Sequence, residues 1–372
     1  MSPEVEAAII AGAVGVLTVI VALYGTRKTS QDTKDGLNKQ LTEQREALDR
    51  TLKEQGEALD KTLEEQRTRT LNERFATAAD QLGSDKPAVR LAGVYAMAGL
   101  ADDWEKKENR QTCVDVLCAY LRMPYELDPG PDASEAQRLA FQANREVRHT
   151  IIRVITAHLK EDAATPWQDL NFDFTSVVFD GGDFTRAQFS GWVNFSGAKF
   201  VGGSVDFNNV ELVRGRVDFR GARFCGGTVD FHGARFYSGD IDFSRARFSG
   251  GTVSFDGAQF SGGWVTFIGA VFSGGTVGFG GAEFDGGRVD FGAAQFFGGS
   301  VNFESAWFSG GEVTFSGAEF VGGTVDFDNA RFFGGGVDFS DAEDWSFPPA
   351  FPWTDTPPSG VKLPRKEDQS QA

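Results

Sequence analysis

The sequence contains few of the residue types on which metal and histidine chemistry depend. Of its 372 residues, 3 are His, 3 are Cys and 3 are Met. Cys113 and Cys118 are five positions apart, so they point to different sides of a helix, and Cys225 lies far away in the sequence. This arrangement fits neither a disulfide framework nor a zinc site, and it indicates reduced, mostly buried thiols. We therefore expect no metal and no cofactor.

Positive charge is also scarce, since 36 Lys and Arg face 53 Asp and Glu, for a net charge of −17. Such a balance disfavours a general affinity for nucleic acid. The sequence has no phosphate-binding loop, and His232 has no Ser, Cys or second His at a catalytic spacing. His149 and His158 are nine residues apart, too far for a metal pair on one helix face, and we expect them at a surface or interface. We therefore predict a protein that is not an enzyme and has no catalytic residues.

Residues 1–29 contain an apolar run at residues 7–25, AAIIAGAVGVLTVIVALYG, without a charged residue. A helix needs about 20 such residues to cross a bilayer. Acidic residues precede the run and Arg27 and Lys28 follow it, which argues against a secretory signal peptide. Because basic residues prefer the cytoplasmic side, we predict a single-pass segment with the N-terminus outside and the later domains in the cytoplasm.

Residues 30–70 carry an eleven-residue repeat, LTEQREALDRT from Leu41 and LKEQGEALDKT from Leu52. Leucines separated by alternating steps of four and seven give ~3.67 residues per turn and one narrow apolar stripe. A lone helix with this stripe buries nothing, so the repeat predicts a coiled-coil stalk through which copies of the chain associate. A solvated single helix is the alternative, because a glutamine interrupts the stripe in each copy.

Residues 71–165 have the periodicity of packed amphipathic helices and predict a small α-helical bundle. The segment from Glu73, ERFATAADQLGSDKPAVRLAGVYAMAGLADD, resembles the helical region before the repeats in a group of membrane-anchored bacterial pentapeptide-repeat proteins. Within it, KPAVRLAGVYAMAGLA is similar to the second helix of a HEAT-type hairpin. This resemblance implies a bacterial cell membrane as the location.

Residues 168–344 follow the template V-D-F-x-G-A-x-F-x-G-G-x, with Phe at every twelfth position from Phe195 to Phe339. Such regularity predicts a solenoid. In V-x-F and A-x-F the two apolar residues are two positions apart. Because side chains alternate along a strand, each triplet predicts a short strand with both apolar residues inward and the middle residue outward. Glycine permits the corners between them. We expect the inward Phe residues to stack along the axis at the strand spacing, about 4.8 Å.

The frames FSGAKF, FRGARF, FHGARF and FDGAQF resemble the pentapeptide-repeat family. The resemblance implies a right-handed, four-sided β-helix with the central Phe and the preceding small residue inside. This chain departs from the family by alternating steps of five and seven residues, so we predict coils of 24 residues built from two units. A flat roll with twelve residues per coil is the alternative. The fold class is thus α plus β solenoid.

Residues 345–372 no longer follow the template. We expect Trp345, Phe347 and Phe351 to fold over the last coil as a cap, because exposed strand edges invite aggregation. The polar segment beyond about Pro357 predicts a disordered tail.

The outward middle positions supply the candidate interaction surface, a row of carboxylates along one or two edges that neighbouring arginines pair with across coils. Its acidic members are Asp206, Asp218, Asp230, Asp242, Asp290, Asp326 and Asp338, and its basic members are Arg223, Arg235 and Arg247. A merely solvated acidic face is the simplest interpretation. A calcium site lacks a recognisable loop motif.

These observations predict a non-enzymatic, membrane-tethered scaffold that presents a rigid β-helical rod in the cytoplasm to an unknown protein partner. The alternative is an acidic DNA mimic that regulates a DNA-binding enzyme such as DNA gyrase, as some pentapeptide-repeat proteins do. A metal-dependent adhesin is a third hypothesis, and it requires the rod to lie outside the cell.

Overall fold

The computed structural model describes residues 31–365 except residues 238 and 355, with side chains from residue 39 onward. The chain divides into two compact units, Met1–Thr70 and Leu71–Ala372. Helix α1 (Gln31–Leu82) begins in the first unit and ends in the second. The predicted stalk is therefore helical over its described part.

The leucine stripe of α1 is exposed in the first unit. Leu48, Leu52, Leu59 and Leu63 keep between 43% and 57% of their surface accessible. No described helix is both long and apolar enough to pass through a bilayer, and the predicted span at residues 7–25 lies outside the described residues. The predicted coiled-coil association stays a prediction, because it concerns a second copy of the chain.

The second unit begins with the end of α1 and three further helices, which are α2 (Pro87–Asp103), α3 (Lys107–Arg122) and α4 (Glu135–Leu159). Pro87 occupies the first turn of α2, where its missing N–H is harmless. Ser134 and Gln137 form a capping box at the start of α4. The helices pack through buried side chains such as Val94, Leu117 and Ile151, as the apolar periodicity predicts.

The helices also cover the first coil of the solenoid. The buried Arg148 of α4 donates one hydrogen bond to the carbonyl oxygen of Leu121 (2.7 Å) and another to that of Val178 (2.8 Å). The Thr156 hydroxyl donates to the carbonyl oxygen of Asp183 at 2.7 Å. The backbone groups at this end of the sheets thus meet protein partners, and the edge is protected.

From Phe172 onward the chain forms parallel strands. Strand partners are 21 or 23 residues apart in the first coil, as in the pairing of Phe172 with Val193, and 24 apart from the second coil onward, as in the pairing of Thr228 with Thr252. The predicted coil of 24 residues is therefore confirmed, and the twelve-residue roll is wrong. Each coil has four short strands, so the solenoid has four faces and about eight coils. We name the faces A, B, C and D in chain order; A is opposite C, and B is opposite D. The predicted right-handedness stays a prediction.

Most strands belong to one face each. Face A contains β1 (Phe172–Asp173), β5 (Val193–Asn194), β9 (Arg216–Asp218), β13 (Asp240–Asp242), β16 (Trp264–Thr266), β24 (Gly336–Asp338) and β25 (Val361–Lys362). Face B contains β2 (Val178–Phe179), β6 (Lys199–Phe200), β10 (Arg223–Phe224) and β21 (Glu319–Phe320). Face C contains β3 (Gly182–Asp183), β7 (Ser204–Asp206), β11 (Thr228–Asp230) and β22 (Thr324–Asp326). Face D contains β4 (Gln188–Phe189), β8 (Glu211–Leu212), β12 (Arg235–Phe236), β15 (Gln259–Phe260) and β23 (Arg331–Phe332).

Five longer strands continue around a corner. Those that join faces B and C are β14 (Arg247–Ser254), β17 (Val271–Gly278) and β19 (Gln295–Asn302). Those that join faces D and A are β18 (Glu283–Asp290) and β20 (Trp307–Thr314). The four faces consequently merge into an 11-stranded sheet and a 14-stranded sheet.

The interior consists of stacked phenylalanines. Ring centroids of Phe195, Phe219 and Phe243 are 4.7 Å and 4.6 Å apart in sequence order, with nearly parallel planes. Phe224 and Phe248 stack in the same way at 4.7 Å. These spacings equal the distance between paired strands, so the predicted Phe stacking is confirmed.

The far end of the solenoid is covered by the chain that follows it. Trp345 packs edge-on against Phe320, with 5.1 Å between ring centroids, and Phe351 stacks on Phe327 at 5.5 Å. Phe347, expected in the same cap, is 58% exposed instead. The tail predicted to be disordered beyond Pro357 contains β25, which pairs in parallel with β24 and extends face A.

Candidate functional site

The seven candidate aspartates lie on two opposite faces. Asp218, Asp242, Asp290 and Asp338 are on face A, and Asp206, Asp230 and Asp326 are on face C. They therefore lie along two edges, one of the two arrangements that we expected, and each row is interrupted. On face A a threonine separates Asp242 from Asp290, and on face C a serine, a glycine and an asparagine separate Asp230 from Asp326.

Each of these aspartates has a structural role. Its Oδ1 atom accepts the backbone N–H of the residue two positions later, at 2.8–3.0 Å, and thereby closes the turn that follows the strand. Asn, Ser and Thr do the same in other coils, as at Asn194, Ser254 and Thr266. The recurrence of Asp in the repeat is thus explained by turn geometry.

Two of the aspartates are not at the surface. The side chain of Asp218 is 1% exposed and that of Asp242 is 12% exposed. Arg220 covers the carboxylate of Asp218, with 2.6 Å between Nη2 and Oδ2, and Arg216 binds Asp242 at 2.9 Å. Both occupy outward strand positions, as expected, but cations from the neighbouring positions enclose their carboxylates.

The candidate arginines lie on the other two faces. Arg223 and Arg247 are adjacent on face B, and Arg235 on face D pairs with Glu211 at 2.8 Å. In the part of the chain that the structure describes, Arg223 and Arg247 form no salt bridge. The predicted pairing of these arginines with the aspartates is therefore wrong, because an Asp and an Arg of one unit lie on different faces.

A groove on face A is the most distinctive feature of the outer surface. Its volume is about 280 Å³. Trp264 stands on one side and Ile268 on the other, and they are 57% and 44% exposed. Arg216, Asp242, Arg288 and Asp290 lie at its two ends. Sequence reasoning missed this groove, although Trp occupies the position before the strand valine only at Trp192 and Trp264.

The charged residues of the groove hold one another in place. The Arg288 guanidinium lies over the Trp264 ring, 5.4 Å from its centroid, and its Nη2 atom is 3.3 Å from Asp290 Oδ2. At the other end Arg216 binds Asp242. The floor between them is formed by Thr266, whose short side chain leaves the space open.

Face C presents a second regular pattern that sequence reasoning missed. Its first outward position is a hydroxyl residue in six consecutive coils, aligned strand to strand. These residues are Ser204, Thr228, Thr252, Thr276, Ser300 and Thr324. Together with its aspartates, they make face C a polar surface opposite the groove.

The bundle histidines have structural partners. His149 Nε2 lies 3.0 Å from Asp180 Oδ1, at the contact between α4 and the solenoid. His158 Nε2 lies 3.1 Å from Asp102 Oδ2, and the Trp167 indole donates to the other oxygen at 3.0 Å. The interface position predicted for His149 is thus observed.

Asp180 is the centre of the contact between bundle and solenoid. Burial opposes ionisation of its carboxyl, but hydrogen bonds with His149 and Tyr125 and the charge of Arg145 hold its pKa below the ordinary value. Burial beside this carboxylate raises the pKa of Tyr125. The four side chains serve to join two parts of the fold.

Other reactive groups are dispersed. Across residues 31–365, apart from the two undescribed positions, no three His, Cys, Asp or Glu side chains are grouped to hold a metal ion. Burial raises the pKa of Cys113 to about 11 and that of Cys118 to about 12, whereas Cys225 is exposed at a corner of the solenoid. The expectation of mostly buried thiols thus fits two of the three.

The repeat architecture agrees with a pentapeptide-repeat-like β-helix, since Phe recurs every five or seven residues around four faces. Comparison with known proteins adds no further identification: no family model, no curated protein and no solved structure matches the chain significantly.

Proposed function

We propose that this protein is a non-enzymatic scaffold of the bacterial cell membrane, with the solenoid held in the cytoplasm as a rigid rod for protein binding. The main support is the construction of the rod. Stacked phenylalanines and parallel ladders fix every coil to its neighbour, so outward side chains keep constant spacings. A surface of this kind binds partners without first having to become ordered.

The anchoring part of the proposal rests on the sequence. The uncharged run at residues 7–25 is long enough for one span, and Arg27 and Lys28 follow it on the side where basic residues prefer the cytoplasm. This orientation places α1 and the solenoid inside the cell.

Association of several copies through α1 is the second part of the proposal. Four exposed leucines of one stripe have no cover within the described chain, and the eleven-residue period keeps them on one side of a nearly straight helix. A second copy of α1 is the simplest cover, because identical stripes match in register.

Sedimentation of the full chain in detergent tests this association. We expect an oligomer that dissociates when Leu52→Ser and Leu59→Ser are combined. The control combines Glu54→Ser and Lys61→Ser, which change residues two positions later on the opposite side of the helix. A monomeric wild type, or equal effects of both pairs, would contradict association through the stripe.

A search for the partner tests the scaffold itself. The full chain is cross-linked in its native membrane and purified, with a chain that ends after Leu82 as the comparison. We expect particular proteins to copurify only when the solenoid is present. Identical sets of proteins from both chains would refute a scaffold role for the rod.

Mimicry of DNA is the second candidate, and one observation favours it. Asp206, Asp230 and Asp326 on face C form no salt bridges in the described part of the chain, so their charge is not neutralised as it is on face A. Inhibition of gyrase supercoiling by the full chain, relieved by Asp206→Asn with Asp230→Asn, would support mimicry. Asparagine is chosen because it keeps the turns intact.

A further inference from the structure

At the groove on face A, two neighbouring columns carry large apolar residues in the same coil; Trp192, in the column of Trp264, has Ser196 at the corresponding corner. Along the corner column that contains Ile268, the residues one coil before and one coil after are Ser244 and Gly292. Along the column of Trp264 they are Asp240 and Arg288. Both exceptions are large and apolar, occur in the same coil and face the same space. Neither side chain stabilises the interior, because both are exposed.

The walls and ends of the groove differ in chemistry. The side walls, Trp264 and Ile268, are apolar, and the ends carry Asp242 and Asp290, two coils apart. Asp242 already has two cations beside it, Arg216 and Arg220, and Asp290 has Arg288. Asp240 also lines the groove, is exposed and forms no salt bridge in the described part of the chain, so it is the carboxylate left for a cation from outside. A ligand with a slender apolar chain and a positively charged end group therefore matches both the apolar walls and the unpaired carboxylate of the groove.

We propose that this groove binds a lysine side chain that a partner protein presents between apolar residues. The four methylenes of the lysine lie between Trp264 and Ile268, and the ammonium group reaches Asp240, the lining carboxylate without an ion pair in the described residues. The flanking apolar residues cover the remaining exposed surface of Trp264. The proposal rests on the scaffold function above and names the chemistry of its partner.

The arrangement selects lysine among charged side chains. An acidic side chain would find Arg216 and Arg288 already bound to Asp242 and Asp290 and would meet the unpaired Asp240, in a protein whose net charge is already −17. Arginine has a broad planar head, and the Trp264 ring already carries the guanidinium of Arg288. A compact ammonium group needs no planar partner and forms hydrogen bonds in three directions.

Calorimetric titration of the full chain in detergent with three peptides tests the proposal. The probes are acetyl-Ala-Leu-Lys-Leu-Ala-amide and the same peptide with norleucine or glutamate in place of lysine. We expect the lysine peptide to bind about two- to fivefold more tightly than the norleucine peptide, the ratio for an ion pair at a surface. The difference should shrink as salt is added. Equal affinities, or no binding of the lysine peptide, would overturn the proposal.

Substitutions drawn from other coils locate the binding. Trp264→Thr and Ile268→Ser place residues that the solenoid already uses at equivalent positions, and Asp240→Asn removes the unpaired carboxylate without breaking an ion pair of the groove. Each should weaken binding of the lysine peptide about two- to fivefold, whereas Asp230→Asn on face C should leave its affinity unchanged. Equal weakening by Asp230→Asn, or none by the groove variants, would refute this site. If copurified proteins persist with Trp264→Thr, the groove proposal fails while the scaffold stands.

Discussion

Asp218 and Arg220 bind each other twice, through the backbone and through their side chains. Asp218 Oδ1 accepts the backbone N–H of Arg220 at 2.9 Å, and the Arg220 guanidinium contacts the carboxylate, with Nε 2.8 Å from Oδ2. The carboxylate is thereby closed from solvent even though its strand position points outward. Here the turn of the repeat and the surface charge depend on the same side chain.

Substitution of Asp218 should separate these two roles. Asp218→Asn keeps an acceptor for the Arg220 N–H and loses the ion pair, whereas Asp218→Ala loses both. A donor removed from water costs about 1–3 kcal/mol without a partner, and the turn hydrogen bond to Arg220 is partly buried. We therefore expect Asp218→Ala to lower the free energy of unfolding by about 1–2 kcal/mol and Asp218→Asn by less. Denaturant unfolding of the full chain measures the difference.

Asp326→Ala is the matched control for this comparison. It removes the same turn hydrogen bond on face C, where the N–H of Asp328 is exposed to water. We expect a loss below about 1 kcal/mol, since water replaces the acceptor. A loss equal to that of Asp218→Ala would show that burial of the carboxylate on face A contributes nothing.

A second prediction concerns the stability cost of adding a side chain at the glycine corners. Gly275 has φ +72°, and a Cβ atom there would overlap the carbonyl oxygen of Gly251 in the previous coil. Gly281 has φ +61° but open space around it, and Ala293 occupies the equivalent position with φ 51°. We expect Gly281→Ala to cost about 1 kcal/mol of backbone strain and Gly275→Ala clearly more. Thermal unfolding compares the two, and equal losses would show that the coils separate easily.

The interior of the solenoid could be predicted from the sequence because the spacing of its phenylalanines is repeated from coil to coil. Phe195 and Phe219 are one coil apart, and the template recurs so often that spacing alone assigns them to one column. The alternation of two apolar positions around an outward one follows from strand geometry. The position of each residue in the coil can therefore be assigned from its place in the twelve-residue template, which recurs throughout the solenoid.

The outer surface was predicted less well, because its contacts depend on which face each strand occupies. Arg235 and Asp230 are close in sequence, yet they lie on faces D and C, and Arg235 binds Glu211 from the coil before. The structural role of Asp also went unrecognised, since the hydrogen bond to the residue two positions later is a property of the turn. The groove is formed by Trp264 and Ile268, which belong to different columns. Predicting it would have required recognising from the sequence that these two side chains face the same space.

The contact between bundle and solenoid should be sensitive to acid. The Asp180 carboxylate has a pKa below its ordinary value in the folded chain. Its stabilising contribution is therefore complete above about pH 4, the pKa of an unfolded Asp, and is lost as the pH falls through the folded value. Asp180→Asn should lower the free energy of unfolding by about 1–3 kcal/mol at pH 6, with a smaller difference from wild type at pH 3.

The control for Asp180 is Asp169→Asn at the same contact. Lys107 pairs with Asp169 at 2.9 Å, but both side chains are more than half exposed. An exposed pair contributes about 0–1 kcal/mol. Denaturant unfolding at both pH values should therefore show a small change for Asp169→Asn. A constant difference between Asp180→Asn and wild type from pH 6 to pH 3 would contradict the assigned role of the carboxylate.

The native cysteines offer a direct test of both the fold and the orientation in the membrane. Thiolates react and thiols do not, so the raised pKa values of Cys113 and Cys118, together with burial, should protect both at pH 8. Cys225 is exposed, and we expect one label per native chain. Cys225→Ser should abolish the label.

The same thiol tests the orientation in the membrane. In intact cells an impermeant maleimide should leave Cys225 unmodified until the membrane is opened. Labelling before that step would place the solenoid outside the cell, and two or more labels per native chain would contradict the packing of α3.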